Sequence, residues 1–577
     1  ITLKTNYGHI LTNSQVDFNR TNTGKALTQI WAGCRKYTTD NNIDIENVFN
    51  YTETAGQNDP AAFVHLYAEN DILSNKECDN NRPAPITFDV SAAGASTQTR
   101  ALWEAERNIN TKGRVDFVYT SATNAGPITW LSRGGYIQTE RPVTIKYTST
   151  KPISFLAEDW RHDKRSDPKV DANASITKRR GNIHFFDSVD IKRDNANGGL
   201  TQIKAENHIW TAMVNYVDKQ STGDTMDIIS HKGDIYLGYN DGTTTGFDWK
   251  YYVANQQSPM WKITQKAPSA GCPNPQAPIV DYNRNRFTYY VSDKNQKGHL
   301  WIKAGWEEKT DRNAVPDYTG PANADSSRAA GGNIYFTHIT VKQDKASNHP
   351  TVISIPFSGL WRCDNKTTQD SLLHRRAGGS YQRYENAGII SGVNRCVVPY
   401  PKNPGNTTAS DIGLIYRGGI GDLTVDAGNR GNIIFNKGAY LNFQDPAATG
   451  NATFRTRYGD IDMRDPFNVD SMVGSLAFLA QIENLSDLSK SDFCGCAEER
   501  NNVYLQDFQY KAHGASGSVF VGADNNIKLN YGGLQNIGTR HDPFLSQDYK
   551  VCKDGKLEKD GPGYERNGGC GKSLHCD

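Results

Sequence analysis

Ala68-Glu69-Asn70-Asp71-Ile72 is one of four copies of a five-residue phrase that decides the fold class. The other copies are Ala105-Glu106-Arg107-Asn108-Ile109, Ala205-Glu206-Asn207-His208-Ile209 and Ala523-Asp524-Asn525-Asn526-Ile527. In three of the four copies, apolar residues stand two and four positions before the alanine. Such alternation on either side of a short polar corner predicts strand, turn and strand. Its recurrence along one chain is typical of coils stacked on copies of themselves.

A second phrase supports the same architecture. It is a glycine followed by Asp or Asn and then a branched aliphatic residue, and its glycines are Gly181, Gly233, Gly332, Gly421, Gly431 and Gly459. We expect glycine to take a positive φ at each corner, while the Asx side chain bonds nearby backbone. The aliphatic residue then re-enters the core.

The two phrases together predict an all-β chain that folds as a right-handed parallel β-helix, or β-solenoid, with loop and short helical insertions. The alternative is a set of ordinary β-turns in a β-sandwich, because sandwiches also place turn signals at short intervals.

Composition narrows the function classes. Lys and Arg number 64 against 63 Asp and Glu, so the net charge of +1 argues against nucleic acid as a partner. No run of about 20 apolar residues is present, so we expect no membrane span. Hydrophobic residues make up 37% of the chain, which favours a thin, elongated core with much surface.

The first residues already alternate like a strand. Ile1 to Thr5 lead into Tyr7-Gly8-His9-Ile10, with no initiator methionine and no apolar signal region. The sequence therefore predicts that the chain is an excerpt of a larger polypeptide whose first coil leaves a stacking face to be covered.

The chain divides by pattern into four parts. We predict N-terminal coils with a helical insertion in 1–112, a main solenoid with long loops in 113–470, a helix and further coils in 471–547, and a Cys-rich tail or cap in 548–577. The first helix is expected at Thr23 to Lys36, where Leu27, Ile30 and Trp31 share a helical face. The second is expected at Met472 to Leu488.

Ten cysteines are present, half of them in the last 84 residues. None has zinc-ligand spacing, so disulfides in an oxidising, extracellular compartment are the favoured reading, and buried free thiols in a cytosolic protein are the alternative. The local pairs Cys34 with Cys78 and Cys363 with Cys396 are plausible, and the connectivity of the tail cannot be deduced. The tail candidates are Cys494, Cys496, Cys552, Cys570 and Cys576.

The corner phrases resemble filamentous haemagglutinin-like giant bacterial surface adhesins. Leu66 to Ser74, Trp103 to Thr111 and Ile203 to Thr211 follow the pattern apolar-x-apolar-x-Ala, polar corner, Ile-x-Thr. The resemblance implies a right-handed parallel β-helix, export to the cell surface and adhesion, and it brings no catalytic residue or cofactor. Irregular coil length, long insertions and the cysteines depart from that class.

Four Asp-Ser/Thr-apolar triplets are similar to O-glycosylation sites of exported Bacteroidota proteins, which favours that bacterial group as the source. The acceptor side chains are Ser188, Thr225, Ser371 and Ser471.

Asp460, Asp462 and Asp465 form the best carboxylate cluster, since Asp460 and Asp462 share one face of a strand. The cluster allows a paired acid and base or a calcium site. Asp460 also occupies the corner slot of the glycine phrase, and we favour this structural role.

Aromatic residues beside loops are a further candidate for glycan contact, because flat rings stack on sugars. Trp301, Trp306 and Tyr252 are the candidates, although alternate aromatic residues in each strand must belong to the core.

The sequence therefore favours a non-enzymatic extracellular adhesin or surface-fibre segment, a stiff stalk that presents loops to a host or environmental glycan or protein receptor. The alternatives are a secreted β-helix polysaccharide lyase or hydrolase, and a self-assembling extracellular filament subunit joined end to end or to neighbouring segments of a larger polypeptide.

Overall fold

The computed structural model describes the strands and most corners of the chain. The described residues are 1–21, 27–33, 41–54, 63–74, 85–91, 99–120, 125–158, 181–194, 198–218, 223, 225–231, 233–238, 247–254, 258–265, 286–291, 298–305, 332–336, 338–343, 348–355, 376–377, 380–381, 388–391, 413–428, 431–435, 438–443, 449–456, 459–463, 467–472, 474–481, 502–505, 508–512, 517–524 and 526–529. Within these ranges the chain is all-β, and no helix is present that could cross a membrane.

Two compact units are present. Unit 1 comprises Ile1–Tyr252, Trp261–Lys303 and Phe336–Thr351, and unit 2 comprises Val253–Met260, Ala304–Tyr335 and Val352–Asp577. Each unit is a stack of coils in which the chain passes through three columns of parallel strands, which we call columns A, B and C. This arrangement is a parallel β-helix, as the sequence predicts.

Unit 1 contains the longer series of described coils. Column A consists of Thr2–Thr5, Leu27–Ala32, Phe63–Ala68, Arg100–Ala105, Ile128–Ser132, Ile153–Ala157, Leu200–Ala205 and Thr225–Ser230. Column B consists of Ile10–Thr12, Ile43–Ile45, Ile72–Ser74, Ile109–Thr111, Tyr136–Thr139 and Ile235–Leu237. Column C consists of Val16–Arg20, Phe49–Glu53, Ile86–Asp89, Val115–Tyr119, Val143–Tyr147, Phe287–Val291 and Ile339–Gln343. Two long strands run through columns B and C, namely Asn182–Arg193 and Ile209–Asp218.

Unit 2 repeats the three columns. Column A consists of Leu423–Asp426, Ala452–Thr456, Ser475–Ala480 and Ser518–Ala523. Column B consists of Gly388–Ser391, Asn432–Phe435, Ile461–Met463, Val503–Leu505 and Ile527–Leu529, and column C of Leu414–Gly418, Ala439–Phe443, Phe467–Met472 and Phe508–Ala512. Arg376–Ala377 and Ser380–Tyr381 form an antiparallel pair. Strands with residues of both units are Phe247–Ala254, Ser258–Gln265, His299–Ala304, Ile334–Phe336 and Thr351–Ser354.

The core of unit 1 is a set of rows in which equivalent residues of successive coils lie on top of one another. Ile30, Leu66, Trp103, Trp130 and Phe155 form one such row, joined by the parallel register of column A. All five residues are buried, and the Trp103 and Trp130 rings stack with centroids 4.6 Å apart. Because side chains alternate across each strand, the intervening residues point outward.

The corner between columns A and B is held by a ladder of side chains. In unit 1, Asp71 Oδ1 accepts hydrogen bonds from the backbone N and from Nδ2 of Asn108, at 3.0 and 2.8 Å. Asn108 Oδ1 accepts in turn from the backbone N of Tyr136, and Asn182 Oδ1 from that of His208. Each acceptor therefore satisfies a turn N–H of the next coil, as buried backbone requires.

The phrase alanines lie at the last position of column A strands. Ala68 pairs with Ala105, Ala157 with Ala205, and Ala480 with Ala523. The small side chain leaves room where the chain turns.

The glycine corners differ from expectation. Gly181 and Gly332 have positive φ values of 72° and 108°, but the described Gly233, Gly421, Gly431 and Gly459 do not. At three of these four positions glycine is required for another reason. A Cβ would lie 2.5 Å from Asn207 backbone at Gly233, 2.4 Å from the Ala427 oxygen at Gly431 and 2.0 Å from the Gly431 oxygen at Gly459. At Gly233 and Gly459 the preceding coil lies too close for any side chain, whereas at Gly431 the obstacle is the carbonyl of Ala427 in the same corner.

Both helix predictions are wrong over the residues described. Leu27–Ala32 and Ser475–Ala480 are column A strands. In the first, Trp31 points outward yet stacks on Tyr67, so apolar residues occur on both faces of the strand and imitate helical spacing. In the second, Leu476 and Ala480 are four residues apart, which fits period two as well as a helical turn.

Candidate functional site

The outward side chains of column A in unit 1 form a surface that we call the A face. It is rich in aromatic and charged side chains. Its first part is aromatic. Trp31 stacks on Tyr67 with centroids 4.1 Å apart, and His65 meets the Trp31 ring edge-on at 5.4 Å. Tyr67 and His65 are buried although they point outward, whereas Trp31 is half-buried.

Glu104 lies at the centre of this part of the A face. Its Oε1 accepts hydrogen bonds from Nε and Nη2 of Arg133 at 2.8 and 2.7 Å, and its Oε2 lies 3.1 Å from Nε2 of His65. The Tyr67 hydroxyl donates to Glu106, which lies next to Arg133. These contacts cross coils, so the network is built by the register of column A.

Burial alone raises the pKa of Glu104, but the hydrogen bonds from His65 and Arg133 outweigh it and lower the pKa to about 2. A carboxylate with a lowered pKa stabilises the fold above its ordinary pKa, and this contribution is lost as pH falls towards 2. We therefore expect Glu104→Gln to weaken the loss of stability between about pH 5 and pH 2. Urea unfolding at several pH values measures the effect. The same substitution at the exposed Glu140 serves as the control, and equal pH profiles for wild type and Glu104→Gln would refute the role of this network.

The second part of the A face combines a histidine, a tryptophan and a lysine from one strand. His299–Ala304 follows Thr225–Ser230 in column A, and its unit 1 residues His299, Trp301 and Lys303 occupy alternate positions and so share a face. His299 Nε2 lies 2.9 Å from Oδ1 of the buried Asp227, and its ring stacks on Trp301 at 3.7 Å. Lys303 Nζ lies 3.7 Å from the Trp301 ring centroid.

The pKa of Lys303 is unusual for a lysine. Burial lowers the pKa of Lys303 to about 8, although the charge of Asp227 acts in the opposite direction. A lysine with such a pKa is partly uncharged near neutral pH and is able to accept a proton. The A face thus offers aromatic surface, a bound carboxylate and a candidate base on one column.

The residues predicted for glycan contact and for O-glycosylation lie in different parts of the structure. Trp301 lies on the A face, with His299 and Lys303 against its ring. Ser188 is buried in Asn182–Arg193, where its hydroxyl donates to Asp190, and Thr225 begins a column A strand. Ser471 lies in the strand Phe467–Met472 and Tyr252 in the strand Phe247–Ala254, and at both positions the backbone alone is described. Trp306, Ser371 and all ten cysteines lie outside the described residues.

Asp460 is part of the corner ladder in unit 2. Its backbone N donates to Asn432 Oδ1, and its Oδ1 accepts from the backbone N and Nδ2 of Asn502 at 2.8 and 2.9 Å. Asn502 Oδ1 then accepts from the backbone N of Asn526. Asp462 is buried in the next strand, and Asp465 lies outside the described residues. This geometry favours the structural role for Asp460 over catalysis.

Asp460→Ala should therefore lower the free energy of unfolding by about 1–3 kcal/mol, because it leaves the buried N–H of Asn502 without its acceptor. Asp460→Asn keeps Oδ1 and matches Asn432 and Asn502, so we expect it to stay within about 1 kcal/mol of wild type. Chemical unfolding of both variants measures the difference. Equal losses of stability in the two variants would count against the ladder.

The described residues contain no group of three or more His, Cys, Asp or Glu side chains arranged to hold a metal ion. Comparisons of the chain with protein-family models, with curated proteins and with solved structures gave no significant match. The A face and the corner phrases are therefore the features from which a function can be inferred.

Sequence reasoning found Trp301 but missed most of the A face. Trp31, His65, Glu104 and Arg133 come from four coils, and no local phrase marks them. The one available sequence signal is their position. Trp31, His65 and Glu104 stand one or three residues before a column A alanine, and Arg133 directly follows a column A serine.

Proposed function

We propose that the chain is a non-enzymatic, extracellular segment of a bacterial surface adhesin or fibre, and that its A face binds a glycan or protein receptor. The observation that carries the proposal is the concentration of aromatic and charged side chains on the outside of column A in unit 1. Aromatic residues and arginine are enriched among the residues that carry most of the energy of binding, and Trp31, Trp301 and Arg133 are partly exposed members of this face. A stack of parallel coils is a rigid support for such groups.

The corner phrases support the adhesin class and its surface location. They occur at the column A to column B turn, where the filamentous haemagglutinin-like pattern requires them. The Asp-Ser/Thr triplets favour Bacteroidota as the source.

The outer surface of column C offers a contrast. Asp17 bonds Asn50 at 2.8 Å, and Asp190 bonds Asn215 at 2.6 Å, so this surface carries a short-range polar ladder and few aromatic residues. Such a ladder stabilises neighbouring coils without offering an apolar platform. Column C therefore supplies matched control positions.

Glycan-array and cell-binding assays with the full chain test the proposal. We expect Trp31→Ala and Trp301→Ala to reduce binding by at least about tenfold, the usual effect of removing an aromatic anchor. Thr144→Ala, on the outside of column C, should bind as wild type does. Binding that is insensitive to both tryptophan variants would move the receptor site away from the A face.

A secreted β-helix polysaccharide lyase or hydrolase is the second candidate, and Lys303 is the observation that favours it. A base with a pKa of about 8 lies near the Asp227–His299 pair on one face. The full chain should then release unsaturated or reducing ends from polysaccharides, and Lys303→Arg should abolish the release because arginine stays protonated. No release from neutral or acidic glycans would exclude this candidate.

A further inference from the structure

Histidine takes the acceptor position of the corner ladder at two corners of unit 1. This position is the residue directly before the first inward aliphatic residue of column B. Where it is asparagine, Oδ1 accepts a hydrogen bond from the backbone N of the next coil, as in Asn42, Asn108 and Asn182. His9 and His208 accept through the ring atom Nδ1 instead, from the backbone N of Asn42 at 3.2 Å and of Asp234 at 3.0 Å.

An imidazole acceptor differs from an amide acceptor because it titrates near neutral pH. A backbone N–H donates to Nδ1 of His208, so the neutral ring carries its hydrogen on Nε2. Histidine changes charge between about pH 5 and pH 8, and the His208 side chain is 18% exposed. A protonated imidazole donates from both nitrogens and accepts from neither. The corner bond from Asp234 therefore exists only while His208 is neutral.

A second partner for the protonated ring lies on the same residue. Oδ2 of Asp234 lies 4.0 Å from Nδ1 of His208, and it accepts a hydrogen bond from the Tyr236 hydroxyl at 3.2 Å. Asp234 is buried, and a buried carboxylate gains from a hydrogen bond with a charged donor. A proton on Nδ1 thus removes an acceptor for the backbone of Asp234 and supplies a donor for its side chain.

The preceding coil places a second histidine close to His208. The buried ring of His184 lies 4.2 Å from the ring of Trp210, which lies 5.1 Å from that of His208. Burial, together with the charge of His208, lowers the pKa of His184 well below its ordinary value, so His184 stays neutral in mild acid.

The titratable side chains around His208 in the described residues have separate roles. Asp234 and Tyr236 face it from the next coil and His184 from the preceding one, whereas Glu206 and His231 pair with each other at 3.4 Å. Of the three histidines, His208 is the one whose protonation removes an acceptor of the corner ladder.

We propose that His208 is a proton-operated switch at the corner between two coils of unit 1. In its neutral state it joins the coils by accepting the N–H of Asp234. In mild acid its Nδ1–H binds the carboxylate of Asp234, and the corner N–H loses its acceptor. The adjoining bond from the backbone N of His208 to Asn182 Oδ1 does not titrate, so the change is confined to one joint. The switch belongs to the fold and does not depend on the receptor proposed for the A face.

Hydrogen exchange of the full chain tests the switch, measured by mass spectrometry with fragmentation that resolves single amides. Rates are corrected for the intrinsic effect of pH on exchange. Because the bond is present above the range in which histidine charges and is lost as pH falls through it, protection of the Asp234 amide should fall at least about fivefold from about pH 7.5 to about pH 5.5. The His208 amide, which is bonded to Asn182, should keep its protection and serves as the internal reference.

Two substitutions assign the effect to one side chain. His208→Asn supplies the acceptor found at Asn182, so protection of the Asp234 amide should no longer depend on pH. His231→Asn is the matched control in the same corner, because His231 contacts the Glu206 side chain and does not hold the acceptor position. It should respond to acid as wild type does. Equal thermal unfolding at about pH 7.5 confirms that both variants fold.

Equal protection of the Asp234 amide at the two pH values in wild type would overturn the proposal. So would an equal loss at the His208 amide, which indicates general loosening in acid, or a loss that persists in His208→Asn. Asp234→Asn tests the exchange of partners, since the protonated ring then lacks its charged partner and the midpoint of the change should move to lower pH. An unchanged midpoint would refute the exchange.

Discussion

Gly233→Ala is expected to lower the free energy of unfolding by about 3 kcal/mol, the upper range for overpacking, because the new methyl group meets backbone. A Cβ at this position would lie 2.5 Å from the carbonyl carbon and oxygen of Asn207 and 2.8 Å from the nitrogen of His208. These atoms belong to the corner of the preceding coil and are held by their own hydrogen bonds. Relief would require two coils to separate. Urea unfolding monitored by circular dichroism measures the loss.

Gly223→Ala is the matched control in the same unit, since a Cβ there meets nothing within 4 Å. We expect its stability to remain within about 0.5 kcal/mol of wild type. If the two substitutions cost the same, close approach of the coils is not the reason for glycine at 233. Positive φ is excluded as the reason in advance, because Gly233 has an ordinary backbone conformation.

Trp103→Ala should cost about 3–5 kcal/mol through the cavity that it leaves in the core of unit 1. Trp103 is fully buried, and its ring stacks on that of Trp130 with centroids 4.6 Å apart. The ring centroid of Phe88 lies 5.8 Å away, within the usual range for aromatic pairs. Its removal interrupts a row that runs through five coils. Thermal and chemical unfolding, followed by near-ultraviolet circular dichroism, measure the loss of aromatic packing.

Two further substitutions make this prediction specific. Trp103→Phe should cost less, because phenylalanine fills most of the space and removes an indole N–H that has no hydrogen-bond partner in the described core. Leu102→Ala, one residue earlier but on the outer side of the strand, should cost less than about 1 kcal/mol. A Leu102→Ala variant as unstable as Trp103→Ala would show that inside and outside have been exchanged.

The sequence was sufficient for the architecture because a parallel coil repeats its corner chemistry. Ala68, Ala105 and Ala205 mark the ends of column A strands, and the residues after them supply the acceptors of the ladder. Ala32 and Ala157 occupy the same position but escaped detection. Ala32 is followed by Gly33 rather than an acidic or amide residue, so the five-residue phrase is lost although the register is kept.

Patterns of apolar residues within one strand gave wrong predictions where contacts between coils decide which side chains are buried or fit. The stack of Trp31 on Tyr67 buries an outward side chain, which makes a strand resemble an amphipathic helix. Glycine at 233 and 459 reflects the distance between coils rather than local conformation. Neither effect is visible without knowing which coils are neighbours.

The candidate site was largely beyond sequence reasoning for the same reason. His65, Glu104 and Arg133 meet across coils that are separated by 39 and 29 residues along the chain. The number of residues between strands varies from coil to coil, so sequence separation does not reveal that they are neighbours. Trp301 could be named from the sequence because an aromatic residue beside a polar stretch is a local signal.

The connection between columns B and C has a consequence for how this chain can change. Three residues, 112–114, link Thr111 to Val115, whereas eleven, 75–85, link Ser74 to Ile86 in the neighbouring coil. Both coils nevertheless keep residue-by-residue pairing on either side of the connection. The connection between these columns therefore accepts peptides of very different length. Evolution or an engineer can alter what a single coil displays there without changing the strand pairing of its neighbours.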